Sequence, residues 1–284
     1  MAFNGKNVLI TGASMGIGEA IVRKVAAEGA NLALFARSVD KLQGITADLQ
    51  GKNPRSKVLY KAIDLQSYEA VEKAVSETVK ELGDIDILIN NVWTYPALRQ
   101  IMDYTNCRQA GLALGAPAAF PDLKVSDIVT MNSTNINGLM FVTYAVLNSS
   151  MMKRKDGTIL NVTSVTGLEV PPFPGEAVYH SNKAAQEAFT NALRNELSGT
   201  NIRVLALRPG VVATNFHSLR VGHDKGMYDG FMEGYTPLEA DEIAGAAIYM
   251  LHQPLNISVK ALDVVPSAQR SLNVFDRSWS ERNK

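Results

Sequence analysis

At 284 residues, 46% of them hydrophobic, the chain has ample apolar material for one large α/β domain or two small ones. Its 28 basic residues balance 28 acidic ones, and the pI is about 6.9, which removes the electrostatic case for nucleic acid or an anionic membrane surface as partner. The single cysteine, Cys107, excludes an internal disulfide and a cysteine-based metal site. With no export signal at the amino terminus and no apolar run near the ~18 residues of a membrane span, a cytoplasmic location is expected.

Seven short, β-branched apolar runs predict strands in chain order: 7–12 (NVLITG), 31–37, 57–65, 86–91, 158–164, 202–210 and 260–266. They are apolar throughout rather than alternating, as strands buried on both faces should be. Amphipathic stretches at 18–28, 67–82, 184–197 and 241–252 predict intervening helices. This order argues an α/β fold, a doubly wound parallel sheet of about seven strands with helices on both faces, as one domain over 1–284. Surface excursions are expected at 92–109, in a Gly/Met/Tyr-rich loop at about 212–235, and in a polar tail at about 267–284.

The first strand ends in TGASMGIG, so Gly12, Ser14, Gly16, Ile17 and Gly18 form the turn into a helix. Glycines there let the backbone turn tightly and approach a pyrophosphate, whose charge rests on free N–H groups at the helix N-terminus. The alternative is a plain strand-to-helix turn. At the end of strand two, where an acidic residue would bond the ribose 2′-hydroxyl of NAD, the chain has Ala36, Arg37 and Ser38. The Arg37 fork suits a 2′-phosphate and favours NADP(H), unless it is simply a solvated charge. At the end of strand three, Asp64 and Leu65 are placed for the adenine, although Asp64 could instead cap the helix beginning near Ser67.

Five features in sequence now make the chain resemble the short-chain dehydrogenases/reductases over nearly its whole length. These are TGxxxGxG at Thr11–Gly18, the pair Asn90–Asn91, a serine closing strand five, YxxxK at Tyr179–Lys183, and RPGVVAT at 208–214. The resemblance implies a Rossmann fold, NADP(H), and hydride transfer to or from a small alcohol or carbonyl substrate.

The chemistry follows from the residues. Tyrosine ordinarily titrates near 10; Lys183, four residues along the same helix face, stabilises the phenolate of Tyr179 and reaches the nicotinamide ribose. Tyr179 then acts as general acid/base on the substrate oxygen, which Ser164 also holds. Asn135, in TNINGL, matches the family's fourth catalytic residue, which resembles a water-holding relay to the lysine; an amide that merely bonds backbone is the alternative. Ser164 precedes Tyr179 by 15 residues, where the family commonly has about 13, so Thr166 is the reserve hydroxyl. His180 points to another helix face and is expected to be structural, and His217, His223 and His252 have no metal-ligand spacing, so no metal is expected.

After strand six, Pro209, Gly210, Val212 and Thr214 are placed on the cofactor, and Arg220, in the loop beyond, is a candidate for a substrate carboxylate, with a solvated role equally open. These runs are most similar to the NADP-dependent 3-hydroxy acid and serine dehydrogenase branch. A biosynthetic ketoreductase with a larger substrate, or an impaired NADP-binding pseudoenzyme, are the competing expectations. The family's habit of pairing its fourth and fifth helices implies a homodimer or homotetramer.

The family continues its paired asparagines with Ala-Gly, and removing 92–109 joins Asn91 to Ala110 and restores INNAGLALG. These 18 residues read as a lid-like surface loop, as a binding wall of Trp93, Tyr95 and Cys107, or as a translated, unspliced intron of in-frame length. The clean seam favours the intron.

Overall fold

The computed structural model describes residues 3–91, 119–173, 175–214, 217 and 224–283. The segment 92–109 and Arg220 lie outside the described residues, so the structure does not bear on the lid, wall or intron readings, nor on the carboxylate role of Arg220.

All seven expected strands form one parallel sheet. They are β1 (Asn7–Thr11), β2 (Asn31–Ala36), β3 (Val58–Ala62), β4 (Ile87–Asn90), β5 (Asp156–Val162), β6 (Asn201–Pro209) and β7 (Ala261–Val264), in the order β3-β2-β1-β4-β5-β6-β7. Every neighbouring pair is parallel, with Val8 opposite Leu32 on one side and Ile87 on the other. Because β1 neighbours both β2 and β4, the crossovers reverse there, and the crevice at the carboxyl ends of these strands is where such sheets hold ligands.

The strands are apolar along their length because both faces are covered. Val8 and Ile10 of β1 and Leu32 and Leu34 of β2 enter one core, under helices α1 (Gly16–Ala27) and α2 (Val39–Lys52). Leu9, Ala33 and Phe35 enter the other, under α3 (Tyr68–Leu82) and a long helical run. That run comprises α4 (Val125–Asn132), α5 (Leu139–Val146) and α6 (Met152–Arg154), joined by two π-helical turns, Ser133–Gly138 and Leu147–Met151. Burying a Leu- or Val-sized side chain from water is worth roughly 1.5–3 kcal/mol, so this two-sided arrangement explains why the central strands β1, β2 and β4 spare no polar face.

Helix α7 spans Ala177–Glu196 and begins well before the expected position 184, so that it carries Tyr179. The expected 212–235 loop contains a helix, α8 (Lys225–Met232), before α9 (Ala240–Leu251). The polar tail is also more than a surface excursion. It forms a hairpin, β8 (Gln269–Ser271) with β9 (Val274–Phe275), and a final turn, α10 (Trp279–Arg282). Its anchors are side chains that pattern alone does not reveal. Buried Gln269 accepts from Val211 N at 3.0 Å, and Arg277 donates to the carbonyls of Phe231 at 2.7 Å and Glu233 at 2.8 Å.

Candidate active site

The turn after β1 is built by contact rather than by flexibility. Gly12 has φ +62°, and a Cβ on Gly18 would lie 2.1 Å from the Gly12 carbonyl and 2.5 Å from Asn91 Nδ2. Asn91 closes this turn from β4: its main-chain N donates to Thr11 Oγ1 at 3.1 Å and its Nδ2 to Gly12 O at 3.3 Å. Met15, the N-cap of α1, supplies no side-chain cap, so the first N–H groups of α1 are left for a ligand. A strand-to-helix turn with glycine backbone exposed and an uncapped helix start fits a pyrophosphate.

A cleft opens beside this turn. It is lined by Gly16, Ile17 and Asn91 on one side, by Ser164, Tyr179 and Lys183 on another, and by Pro209, Gly210, Val212 and Thr214 from the end of β6. Asn91, Ser164 and the Pro209–Thr214 run follow the carboxyl ends of β4, β5 and β6, while α1 supplies Gly16 and Ile17 and α7 supplies Tyr179 and Lys183. Ser14 is buried in the turn behind them.

Other expected cofactor residues lie beyond this cleft. Arg37 and Ser38 are exposed at the end of β2, with Ser38 the N-cap of α2. Asp64 is exposed at the end of β3, where its Oδ1 accepts from Gln66 N at 3.0 Å, and Leu65 is buried beneath the adjoining π-turn. The helix-cap alternative for Asp64 is corrected: Ser67 caps α3, its Oγ accepting from Ala70 N at 3.2 Å. Asn90 is fully buried, and its Nδ2 donates to Thr143 Oγ1 and Asn161 Oδ1, both at 2.9 Å. It joins β4, β5 and α5 beneath the cleft, and the scaffold uses its side chain.

In the catalytic group, Lys183 Nζ lies 5.7 Å from the centroid of the Tyr179 ring. The lysine is buried, and its ammonium donates to Val162 O at 3.3 Å and to Gln186 Oε1 at 3.0 Å. Burial pushes its pKa from 10.5 down to about 7, against an opposing pull from the Glu187 carboxylate. Glu187 is itself held by Thr163 Oγ1 and by Arg208 Nη2, the latter at 2.8 Å.

Ser164 lies two residues past the end of β5; its Oγ accepts from Thr166 N at 3.1 Å and donates over a long 3.4 Å to Pro209 O. Thr166 also lines the cleft, its carbonyl bound by His180 Nδ1, which gives His180 a structural partner. Asn135 stands behind the cleft in the first π-helical turn. Its Nδ2 donates to Asn182 Oδ1 at 3.1 Å, and its carbonyl accepts from Gln186 Nε2 at 2.7 Å.

Several cleft residues were not legible as such. Val165, Val211, His217 and Leu272 complete its wall. Leu272 arrives from the hairpin of the tail, where its N donates to Glu169 Oε2 at 2.8 Å. His217 stacks near Phe231, with centroids 5.5 Å apart, in the loop following Thr214. Among the described residues no group of His, Cys, Asp and Glu is arranged to hold a metal, and no helix is long and apolar enough to cross a membrane.

The chain is similar to known proteins in sequence and in fold. The family model "short chain dehydrogenase" matches residues 6–221. The chain is 36% identical over 271 residues to an NADP-dependent 3-hydroxy acid dehydrogenase of Schizosaccharomyces pombe, covering 95% of this chain and 96% of the relative. It is 34% identical to sulfoacetaldehyde reductase 2 of Chromohalobacter salexigens (92% and 94% covered) and 32% to serine 3-dehydrogenase of Agrobacterium fabrum (92% and 94%). Among solved structures, the closed form of a serine dehydrogenase complexed with NADP+ superposes with a TM-score of 0.78 at 30% identity, covering 93% of this chain and 96% of that one. With the family model matched over residues 6–221 and relatives of 32–36% identity over more than nine-tenths of its length, the chain belongs to the short-chain dehydrogenase/reductase family of enzymes.

Proposed function

We propose that the protein is an NADP-dependent oxidoreductase that interconverts a small 3-hydroxy acid and its carbonyl partner. The observation that carries this reading is the placement of Tyr179, Lys183 and Ser164 on one cleft that also contains the glycine turn. The relatives named for 3-hydroxy acids, serine and sulfoacetaldehyde support a small substrate bearing an acid group near the reacting carbon. Relatives and a neighbour named for NADP, together with Arg37 at the end of β2, support NADP(H) over NAD(H).

The cofactor, when bound, supplies or accepts the hydride. Gly12, Ser14, Gly16, Ile17 and Gly18 receive its pyrophosphate at the start of α1; Arg37 and Ser38 face the 2′-phosphate; Asp64, Leu65, Asn90 and Asn91 border the adenosine half; Pro209, Gly210, Val212 and Thr214 border the nicotinamide. The Ser164 hydroxyl leaves its long bond to Pro209 O and donates to the substrate oxygen. In reduction Tyr179 donates its proton to that oxygen; in oxidation it takes one from the alcohol. The Lys183 ammonium stabilises the phenolate between these states. Arg220 is proposed to pair with the acid group.

The exposed Val125, Val129, Tyr144 and Met152 on α4–α6 support a homodimer or homotetramer, and we place it in the cytoplasm. A screen of serine and other 3-hydroxy acids for NADP+ reduction tests the substrate class. Turnover confined to neutral alcohols would overturn it.

A further inference from the structure

Gln186 is almost wholly buried, one turn beyond Lys183 on α7. A buried amide is costly unless its polar atoms are bonded, and here both ends are used. Oε1 accepts from Lys183 Nζ at 3.0 Å, while Nε2 donates to the Asn135 carbonyl at 2.7 Å. The amide therefore spans the gap that a relay water would fill between the lysine and the π-turn of Asn135.

From this geometry we propose that Gln186 is a positioning residue that takes the place of the relay water, tying Lys183 directly to Asn135 and holding its ammonium beneath Tyr179. The inference rests on the Tyr–Lys chemistry proposed above. Of the three donors of Lys183, which lines the cleft, Val162 O and Gln186 take two. An amide differs from water in its traffic: oxygen only accepts and nitrogen only donates, so the bridge fixes the lysine without carrying a proton away from it. The charged and titratable groups around Lys183 are Tyr179 and Glu187 on α7, Arg208 on β6, and His217 across the cleft. None of them substitutes for the amide, because Glu187 is engaged by Arg208 and Thr163.

Two substitutions separate positioning from packing. Gln186→Met keeps the length and unbranched shape of the side chain but removes both bonds, leaving the lysine and the carbonyl unsatisfied. Gln186→Ala loses more packing but opens room for a water to re-form the link. Positioning predicts that kcat falls further in the Met variant than in the Ala variant, by about tenfold. It also predicts that the Tyr179 titration, read as the ultraviolet tyrosinate difference against Tyr179→Phe without substrate, moves up by about one pH unit in the Met variant and less in the Ala variant.

A packing role predicts the opposite kinetic order, with no movement of the titration, and either result overturns the proposal. Gln186→Glu keeps the shape. Its carboxylate offsets the lysine charge, so the same titration also moves up, and an unmoved titration in a folded Glu variant again overturns it. The tyrosinate readout needs no turnover, so a chain inactive on every 3-hydroxy acid would refute the functional reading while leaving this test intact.

Discussion

Lys183 Nζ sits 5.7 Å from the centre of the Tyr179 ring, one turn along α7, with burial rather than a direct carboxylate contact setting its proton affinity. The folded-state pKa of about 7 lies below the 10.5 of an exposed lysine. The unfolded chain therefore binds more protons between these values, and stability rises with pH across that window. Burying the charged form costs most below pH 7, with an upper bound of about 5 kcal/mol for a shift of this size. Lys183→Met is accordingly expected to be more stable than the wild type at low pH. The difference should shrink as pH is raised from 7 towards 10.5 in denaturant titrations, and a gap that widens with pH would contradict the assignment.

The proposed role of Arg37 is to select between the two nicotinamide cofactors. Loss of charge-assisted bonds to a 2′-phosphate, about 1.5–3 kcal/mol, corresponds to roughly 10- to 150-fold in affinity. Arg37→Ser should weaken NADPH binding by this amount and leave NADH binding within about twofold. Fluorescence titration with both cofactors checks it.

Two glycine substitutions should diverge in sign. Gly18→Ala gains about 1 kcal/mol of helix propensity but drives a Cβ to 2.1 Å from the Gly12 carbonyl, and no rotamer change can move that backbone atom away. Gly44→Ala, exposed within α2 with nothing within 4 Å of its Cβ, gains the propensity without the clash. Melting temperatures should fall in the first and rise by a few degrees in the second, and NADPH binding should be lost only in the first.

Removing residues 92–109 restores an uninterrupted asparagine–glycine motif beside Asn91, whose bonds to Thr11 and Gly12 close the cofactor turn. The deletion is expected to raise NADPH affinity and thermal stability, and sequenced transcripts should include messages without the corresponding 54 nucleotides. A poorer deletion variant would favour a lid, and transcripts that uniformly keep the segment would remove the intron.

The parts of this site that could be read in the sequence are those made by local geometry. Gly12–Gly18, the Tyr179–Lys183 spacing and the uniformly apolar strands each declare themselves within a dozen residues, because turn, helix and two-sided burial impose short periods. The rest depends on partners far along the chain. Gln269 looks like a tail residue until its side-chain Oε1 is found accepting from Val211 N, and Leu272 until Glu169 fixes it against the cleft. Gln186 reads as a polar position on an amphipathic helix, since only its bond to Asn135, some fifty residues earlier, reveals that it is buried. Asn90 stands out in the sequence as one of a pair of asparagines, but the bonds of its amide nitrogen to Thr143 and Asn161 link it to residues more than fifty positions further on.

The central claim is that Tyr179 exchanges a proton with the oxygen of a small substrate during hydride transfer involving NADP(H). Following NADPH absorbance with a panel of 3-oxo acids tests it most directly. The wild type should consume NADPH in proportion to substrate. Tyr179→Phe should bind NADPH equally well and turn over about 10²- to 10⁴-fold more slowly; a variant that retained full turnover would contradict the account.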